Sequence, residues 1–376
     1  MHVAVNGWFW SQPQVGSGHY LRRLIPALRQ ARPDIALTLV LPTGTDSAGI
    51  PDGVKVITAG GGRGKLAKIW FEQRHFPATV GKVKADLAFV PYWGGPLSSP
   101  APLVTMVLDV IPAVLPEYAA SVGAALYTSL VTASARGSAH ILTLSAASKV
   151  DVVKHLAVPD DNVTVTHLAV DSAYHPQLGA EKDPAVRKKY DLPDQYVLYL
   201  GGYDTRKQVN ELLLAYTYVR QGTPDVILVL GGREPAWGTS VFPDMRKYAD
   251  KLELGESLKW IGYVDEADKP SLYRMAVASS YPSRYEGFGF PVLESMASGT
   301  PVTAWDVPVM REISGEGAYL VKSARELGGA LLALINQTPL RDSLVTQGLS
   351  QATRYSWRKT ARETAAVFDQ VLSQGG

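Results

Sequence analysis

The sequence predicts an α/β fold of two domains, each a parallel sheet covered by helices, and three observations carry this. Short runs rich in Val, Leu and Ile alternate with longer helical runs, the pattern of repeated strand–helix–strand units. The length of 376 residues exceeds what one hydrophobic core ordinarily serves and suits two domains. A polar, irregular stretch beginning at Leu168 and running to Asp191 interrupts the alternation and reads as a link. The domains are therefore placed at 1–172 and 173–356, with a C-terminal helix within 357–376 that reaches back to the first.

In the first domain, strands are expected at 2–6, 37–41, 54–57, 87–90, 103–108, 140–144 and 163–166. Helices are expected at 18–31, 65–73, 120–135 and 145–155, the last capped by the Ser145 hydroxyl. In the second domain, strands at 196–200, 226–230, 258–261 and 277–281 alternate with helices at 208–219, 244–252 and 269–276. A short helix over 292–297 follows the last strand, ended by Gly299 and Pro301.

Composition removes several function classes. There is no Cys, so thiolate metal sites and disulfides are excluded. The seven His are scattered without ligand spacing, and no metal is expected. A net charge of +2 argues against nucleic acid as the main partner. No window approaches the roughly 18 apolar residues that a membrane span needs. The start, Met1-His-Val-Ala-Val-Asn6, reads as a buried strand rather than a signal peptide. The expected compartment is the cytoplasm. Basic residues crowd between Arg63 and Lys84, at Arg63, Lys65, Lys68, Arg74, Lys82 and Lys84. They form either a solvated helix face or a weak electrostatic dock for anionic lipid, peripheral on the inner face of the cytoplasmic membrane.

The most informative stretch is Arg284-Tyr-Glu-Gly-Phe-Gly-Phe-Pro-Val-Leu-Glu-Ser-Met-Ala-Ser-Gly-Thr-Pro-Val302. It sets Glu286 on a loop before a helix and Glu294 within the first turns of that helix. Two carboxylates can grip paired hydroxyls such as those of a sugar or a ribose. The helix N-terminus offers unpaired N–H groups to a phosphate. Gly287 and Gly289 let a ligand approach the backbone. A second loop, Leu200-Gly-Gly-Tyr-Asp-Thr-Arg-Lys207, follows a strand with Gly201 and Gly202 and then presents Arg206 and Lys207, a set of groups that suits a diphosphate. Gly231-Gly-Arg233 adds a third, less specific loop. In the first domain Gly16 and Gly18 bracket a turn before a helix. Leu21 breaks the GxGxxG fingerprint there, and no GxxxxGK[ST] loop exists.

Taken together, these segments resemble family 4 of the retaining glycosyltransferases (glycosyl transferases group 1), which have the GT-B architecture of two facing Rossmann-like domains with a cleft between them. The resemblance runs over nearly the whole length and is carried most specifically by the E-x7-E pair Glu286 and Glu294, in register with Arg206-Lys207. It implies a transferase that moves a hexose from a nucleotide-diphosphate sugar, GDP-mannose first and UDP- or dTDP-sugars next, to a glycan, lipid-linked or small hydroxyl acceptor, with no cofactor. Glu294 would hold the ribose. Glu286, with backbone groups at Gly287, Phe288 and Gly289, would meet the donor sugar, and Arg206 and Lys207 would neutralise the diphosphate. Gly201 and Gly202, Leu293, and Tyr263 with Val264, meeting the base largely through backbone, would complete the donor side, and Gly16 and Gly18 would approach the phosphate.

One departure stands out. The segment Val104 to Pro112 resembles the family's HD segment, but Leu108 occupies the place of the usual His. The role passes in expectation to Asp109, or to His19. Tyr92 and Trp93 form a candidate acceptor rim, since aromatic faces pack against sugars, although structural packing serves equally. The rival readings are a GT-B protein that binds a nucleotide sugar without turnover, and a GT-B nucleotide-sugar epimerase.

Overall fold

The computed structural model describes residues 1–62, 64–118 and 122–374. Arg63 of the basic run and the predicted helix start at Ala120 lie outside the described residues. The chain divides into two compact units, Met1–Leu168 with Ser356–Gly376, and Ala169–Tyr355.

The first unit carries strands β1 (His2–Asn6), β2 (Ala36–Pro42), β3 (Lys55–Ala59), β4 (Leu87–Val90), β5 (Leu103–Val107), β6 (His140–Thr143) and β7 (Val163–Val165). Its helices before the link are α1 (Gly16–Ala31), α2 (Lys65–Trp70), α3 (Phe76–Lys82), α4 (Ile111–Val114), α5 (Val122–Arg136) and α6 (Ala146–Leu156). The sheet is parallel in the order β3-β2-β1-β4-β5-β6-β7. Strands β4 and β5 are buried along their whole length. This is why they read as unbroken apolar runs rather than as alternation. The edge strand β3 is largely exposed, and it begins at Lys55 and extends to Ala59 where 54–57 is expected.

The single helix expected over 65–73 is instead α2, a π-helical turn over Phe71–His75, and α3. The turn buries Phe71 and Glu72 together, and Phe76 is fully buried one turn later. Pro77 falls just after the π-helical turn, in the first turn of α3. Ser145 caps α6 by accepting the Ser148 N–H at 3.0 Å.

The second unit carries β8 (Tyr196–Leu200), β9 (Ile227–Gly231), β10 (Leu258–Gly262), β11 (Ala278–Tyr281), β12 (Val302–Trp305) and β13 (Ala318–Val321). Its helices are α7 (Asp183–Lys189), α8 (Val209–Gly222), α9 (Met245–Lys251), α10 (Lys269–Met275), α11 (Phe290–Ala297), α12 (Pro308–Ser314), α13 (Ala324–Asn336) and α14 (Thr338–Ala352). The sheet order is β10-β9-β8-β11-β12-β13, again parallel.

The last helix, α15 (Trp357–Gln374), belongs to the first unit. It packs on α1, sets Phe368 edge-on to Phe89 at 5.2 Å, and pairs Asp369 with Arg32 at 2.7 Å. Among the described residues, no helix is long and apolar enough to cross a membrane. Each sheet reverses its strand order once, between β1 and β4 and between β8 and β11. In open parallel sheets ligands bind beyond the carboxyl ends of the strands at such a point.

Candidate active site

The second unit's reversal point is built from the ends of β8 and β11. After β8 the chain turns at Gly201 and Gly202, and the Gly201 N–H donates to the Gly231 carbonyl at 3.0 Å. Gly232 has φ +154, and a Cβ there would stand 2.0 Å from the Gly201 carbonyl oxygen. The loops after β8 and β9 therefore lie against each other only because that residue is glycine. A tight 3-10 turn over Thr205–Lys207 then aims two cations at one carboxylate.

That carboxylate is Glu286, on the loop after β11. Its Oε1 accepts from Arg206 Nη1 at 2.6 Å, Lys207 Nζ at 2.5 Å, Ser283 Oγ at 2.6 Å and the Tyr281 hydroxyl at 3.0 Å. Arg206 also donates to the Tyr285 carbonyl at 3.2 Å and pairs with Asp204 at 3.1 Å. Lys207 is only 7% exposed and lies 4.7 Å over the Tyr281 ring. Burial alone would push the Glu286 pKa up, but the Lys207 and Arg206 charges overrule it and hold the carboxyl at about 2. Burial, with the neighbouring Arg206 charge, pushes the Lys207 ammonium below the usual lysine range.

Glu294 lives in the opposite environment. It sits on α11, whose N-cap Gly289 has φ +102, a conformation that favours glycine. Its Oε2 accepts from the Tyr273 hydroxyl at 3.1 Å, and the Tyr174 and Tyr273 rings meet edge to face at 6.0 Å. Burial raises the Glu294 pKa, with the Lys269 charge pulling the other way. Two carboxylates eight positions apart are thus pushed in opposite directions, one locked between cations and one kept basic among tyrosines.

Residues 182–351 of this chain match the model of the family described as glycosyl transferases group 1. The second unit is a group 1 glycosyltransferase domain. The chain is 32% identical over 235 residues to O-antigen chain mannosyltransferase B of Escherichia coli, covering 61% of this chain and 60% of that one. It is 34% identical over 185 residues to phosphatidyl-myo-inositol mannosyltransferase of Mycobacterium leprae, covering 48% and 47% respectively. The chain thus spans less than two thirds of either relative. Among solved structures, sucrose-phosphate synthase from Thermosynechococcus elongatus superposes over 100% of both chains with a TM-score of 0.75 at 18% identity. The fold is the GT-B class, two Rossmann-like halves with parallel sheets.

Within the glycosyltransferase domain, several donor-side residues have buried side chains and offer only their backbone. Leu293 and Val292 are fully buried, and Phe288 is buried with its ring edge-on to Phe290 and Tyr355. Val264 packs into the core cluster around Leu198, Val229 and Leu272. These residues set the loop backbone rather than offer a side-chain surface. Tyr263 is 51% exposed, and the Arg233 guanidinium lies over its ring at 5.4 Å. Arg233 belongs to the third glycine loop, whereas Tyr281, Ser283 and Tyr273 are site neighbours outside the motifs. The only sequence signal for them is proximity to the named loops.

In the first unit, Gly16 opens α1 with no neighbour near its missing Cβ. Gly18 is buried, and a Cβ would fall 2.0 Å from the Gln12 carbonyl oxygen and 2.7 Å from that of Phe9. Its glycine is accounted for by packing of α1 against the preceding loop. Asp109 Oδ1 accepts the Ile111 N–H at 3.1 Å at the start of α4, and the His19 ring lies 6.2 Å from Trp357.

The aromatic rim does not exist as expected. Tyr92 is 2% exposed, donates to Asn6 Oδ1 at 3.1 Å and stands edge-on to Phe9 at 4.8 Å. Trp93 packs against the core cluster of Val107, Val110 and Ala135, with its Nε1 buried and unpartnered. Both side chains continue the core beyond the end of β4.

The basic run also changes. Lys68 lies inside a cage of Phe9, Tyr92 and Tyr127 rings at 5.1, 5.1 and 4.7 Å. It pairs with the buried Glu72 at 3.3 Å and donates to the Tyr127 hydroxyl at 2.6 Å. Burial raises the Glu72 carboxyl to about 6 against the pull of the Lys68 charge, and burial lowers Lys68. Lys68 is therefore an internal staple. An acid four residues after a lysine in a helical run is the one sequence signal for this pair.

Proposed function

We propose that the chain transfers a hexose, with mannose from GDP-mannose as the first candidate donor, to a hydroxyl of a saccharide or lipid-linked acceptor with retention at the anomeric carbon. The observation that carries this reading is the pair of cations, Arg206 and Lys207, fixed at the carboxyl ends of β8 and β11 inside a group 1 glycosyltransferase domain. The leaving group of the reaction is a nucleoside diphosphate, and its charge grows as the glycosidic bond breaks. Donors already oriented at that place stabilise the charge without reorganising. A planar guanidinium can fork across two phosphate oxygens, and the ammonium adds a point charge. With two fixed cations in that role, the reading calls for no metal and no cofactor.

Glu294, held by Tyr273 and kept basic by burial, is the acceptor of ribose hydroxyl protons in hydrogen bonds. The loop from Glu286 to Gly289 meets the donor sugar. Tyr263, with Arg233 over its ring, lies beside the backbone expected to face the base. Asp109 is the first-unit group proposed to orient the acceptor hydroxyl. The mannosyl donor is supported by the names of the two relatives, and the breadth of the acceptor class by one naming a glycan chain and the other a phosphoinositide.

The test is a panel of radiolabelled GDP-, UDP-, ADP- and dTDP-sugars. The reading expects donor-dependent thermal stabilisation together with transfer or slow hydrolysis for one nucleotide class, greatest for GDP-mannose. Binding without any sugar release would overturn the transferase reading.

A further inference from the structure

We propose that α2, α5 and the turn at Leu97 in the first unit form an apolar platform that seats the protein on an anionic lipid bilayer. This surface is independent of the donor site. Leu66 is 84% exposed and Trp70 57%, one helical turn apart on α2. Val122 and Leu126 repeat the same spacing on α5, with Leu126 67% exposed. Leu97 is exposed as well.

These three segments are tied together from the inside. Lys68, on the opposite side of α2 from Leu66 and Trp70, donates to Tyr127 of α5, and both meet the buried Glu72. Gln73 donates to the Gly95 carbonyl at 3.0 Å and accepts the Leu97 N–H at 2.9 Å. The staple that removes Lys68 from the basic run therefore ties together segments that leave two i, i+4 apolar pairs and one leucine exposed. An exposed apolar cluster of this kind marks an interaction site, and Trp at such a place suits the boundary between water and acyl chains.

The charge around it selects the occupant. Between Gly64 and Lys84 the exposed ionisable side chains are Lys65, Arg74, Lys82 and Lys84, and the one acid in that stretch, Glu72, is buried. The Arg74 guanidinium lies 5.7 Å over the Trp70 ring. An apolar centre flanked by Lys65 of α2 and by Arg74 of the π-helical turn complements an anionic membrane surface. The purely electrostatic dock inferred from the basic run makes a different prediction, because exposed charges are screened by salt while apolar insertion is not.

The experiment is co-sedimentation of the full chain with phosphatidylcholine vesicles, with and without phosphatidylglycerol, at about 0.1 M and about 1 M salt. We expect partitioning onto the anionic vesicles that falls only in part at high salt. The double variant Leu66→Asp/Trp70→Asp should lower it by about 10-fold or more at both salts. Leu126→Asp should act in the same direction. Lys65→Ala/Arg74→Ala should weaken only the low-salt binding. Val150→Asp, on the exposed face of α6, is the control and should leave binding unchanged, and all variants should melt with the wild type. Three results would overturn the proposal. The first is no partitioning of the wild type onto either vesicle. The second is binding that salt abolishes and Leu66→Asp/Trp70→Asp does not affect. The third is a solution dimer that the same double variant dissolves, which would assign the face to a second copy of the chain. None of these readouts involves sugar transfer, so failure here and failure of the transferase reading are separable.

Discussion

Glu286→Gln isolates the charge on which the second unit's site is organised. The glutamine keeps a carbonyl oxygen where four donors converge, and it removes the negative charge that Arg206 and Lys207 share. Two routes give the cost. Lowering a glutamate carboxyl from its ordinary 4.5 to about 2, at about 1.4 kcal/mol for each factor of ten, amounts to about 3–4 kcal/mol at neutral pH. Breaking a buried pair by removing one partner costs about 3–5 kcal/mol, and the retained acceptor places this case at the low end. Both routes meet at about 3 kcal/mol, which in a unit of this size lowers its melting transition by roughly 6–12 °C.

The sign with pH follows from the depressed pKa. The stabilisation from Glu286 is full above about 4.5 and is lost as pH falls through about 2. Scanning calorimetry of wild type and variant should therefore show a constant gap from pH 7 to pH 5 that closes below 4.5. Lys207→Met in the Glu286→Gln background should cost less than the sum of the two changes, since each variant removes the same pair. A Glu286→Gln protein within 1 kcal/mol of wild type at pH 7, or a gap that persists unchanged through acid, would refute the account of this site.

The remaining predictions separate the other groups. Glu294→Gln should leave stability equal or slightly higher at pH 7, because burial already disfavours the Glu294 charge, yet weaken nucleotide binding by roughly 10-fold in calorimetric titration. Gly18→Ala should destabilise the first unit by about 2–3 kcal/mol in urea melts, because the new methyl would meet the fixed Gln12 carbonyl. Asp109→Asn keeps an oxygen for the Ile111 N–H, so the fold should stand. Turnover should fall roughly 100-fold, with donor affinity unchanged, if the carboxylate handles the acceptor proton.

What was legible in the sequence follows from what burial leaves on a one-dimensional string. Strands β4, β5 and β8 are buried on both faces and so appear as plain apolar runs. Strand β13 is an edge strand with Tyr319 exposed, and α14 buries little beyond Leu344, Gly348 and Gln351, so neither writes a clear period. Between β12 and α15 these two elements therefore leave little signal, in contrast to the apolar stripe of α13. At the site, Glu286, Glu294, Arg206 and Lys207 announced themselves because glycine turns and a helix stop frame them. Their division of labour did not, because it depends on groups outside the motif's chemistry: Tyr281 and Ser283 turn Glu286 into the centre of a cation pair, and Tyr273 keeps Glu294 apart from it. Tyr92 shows the converse. An aromatic residue just past a strand looks the same whether it faces solvent or core, and only the pairing of β1 with β4, which brings Asn6 to its hydroxyl, decides. Lys68 is the sharper case. Its spacing to Glu72 is that of an ordinary surface pair, and the π-helical turn, invisible in residue type, carries the acid inside and the lysine with it. The same turn leaves Leu66 and Trp70 facing outward, so a run that reads as charge in the sequence presents itself in three dimensions as an apolar face with a basic edge.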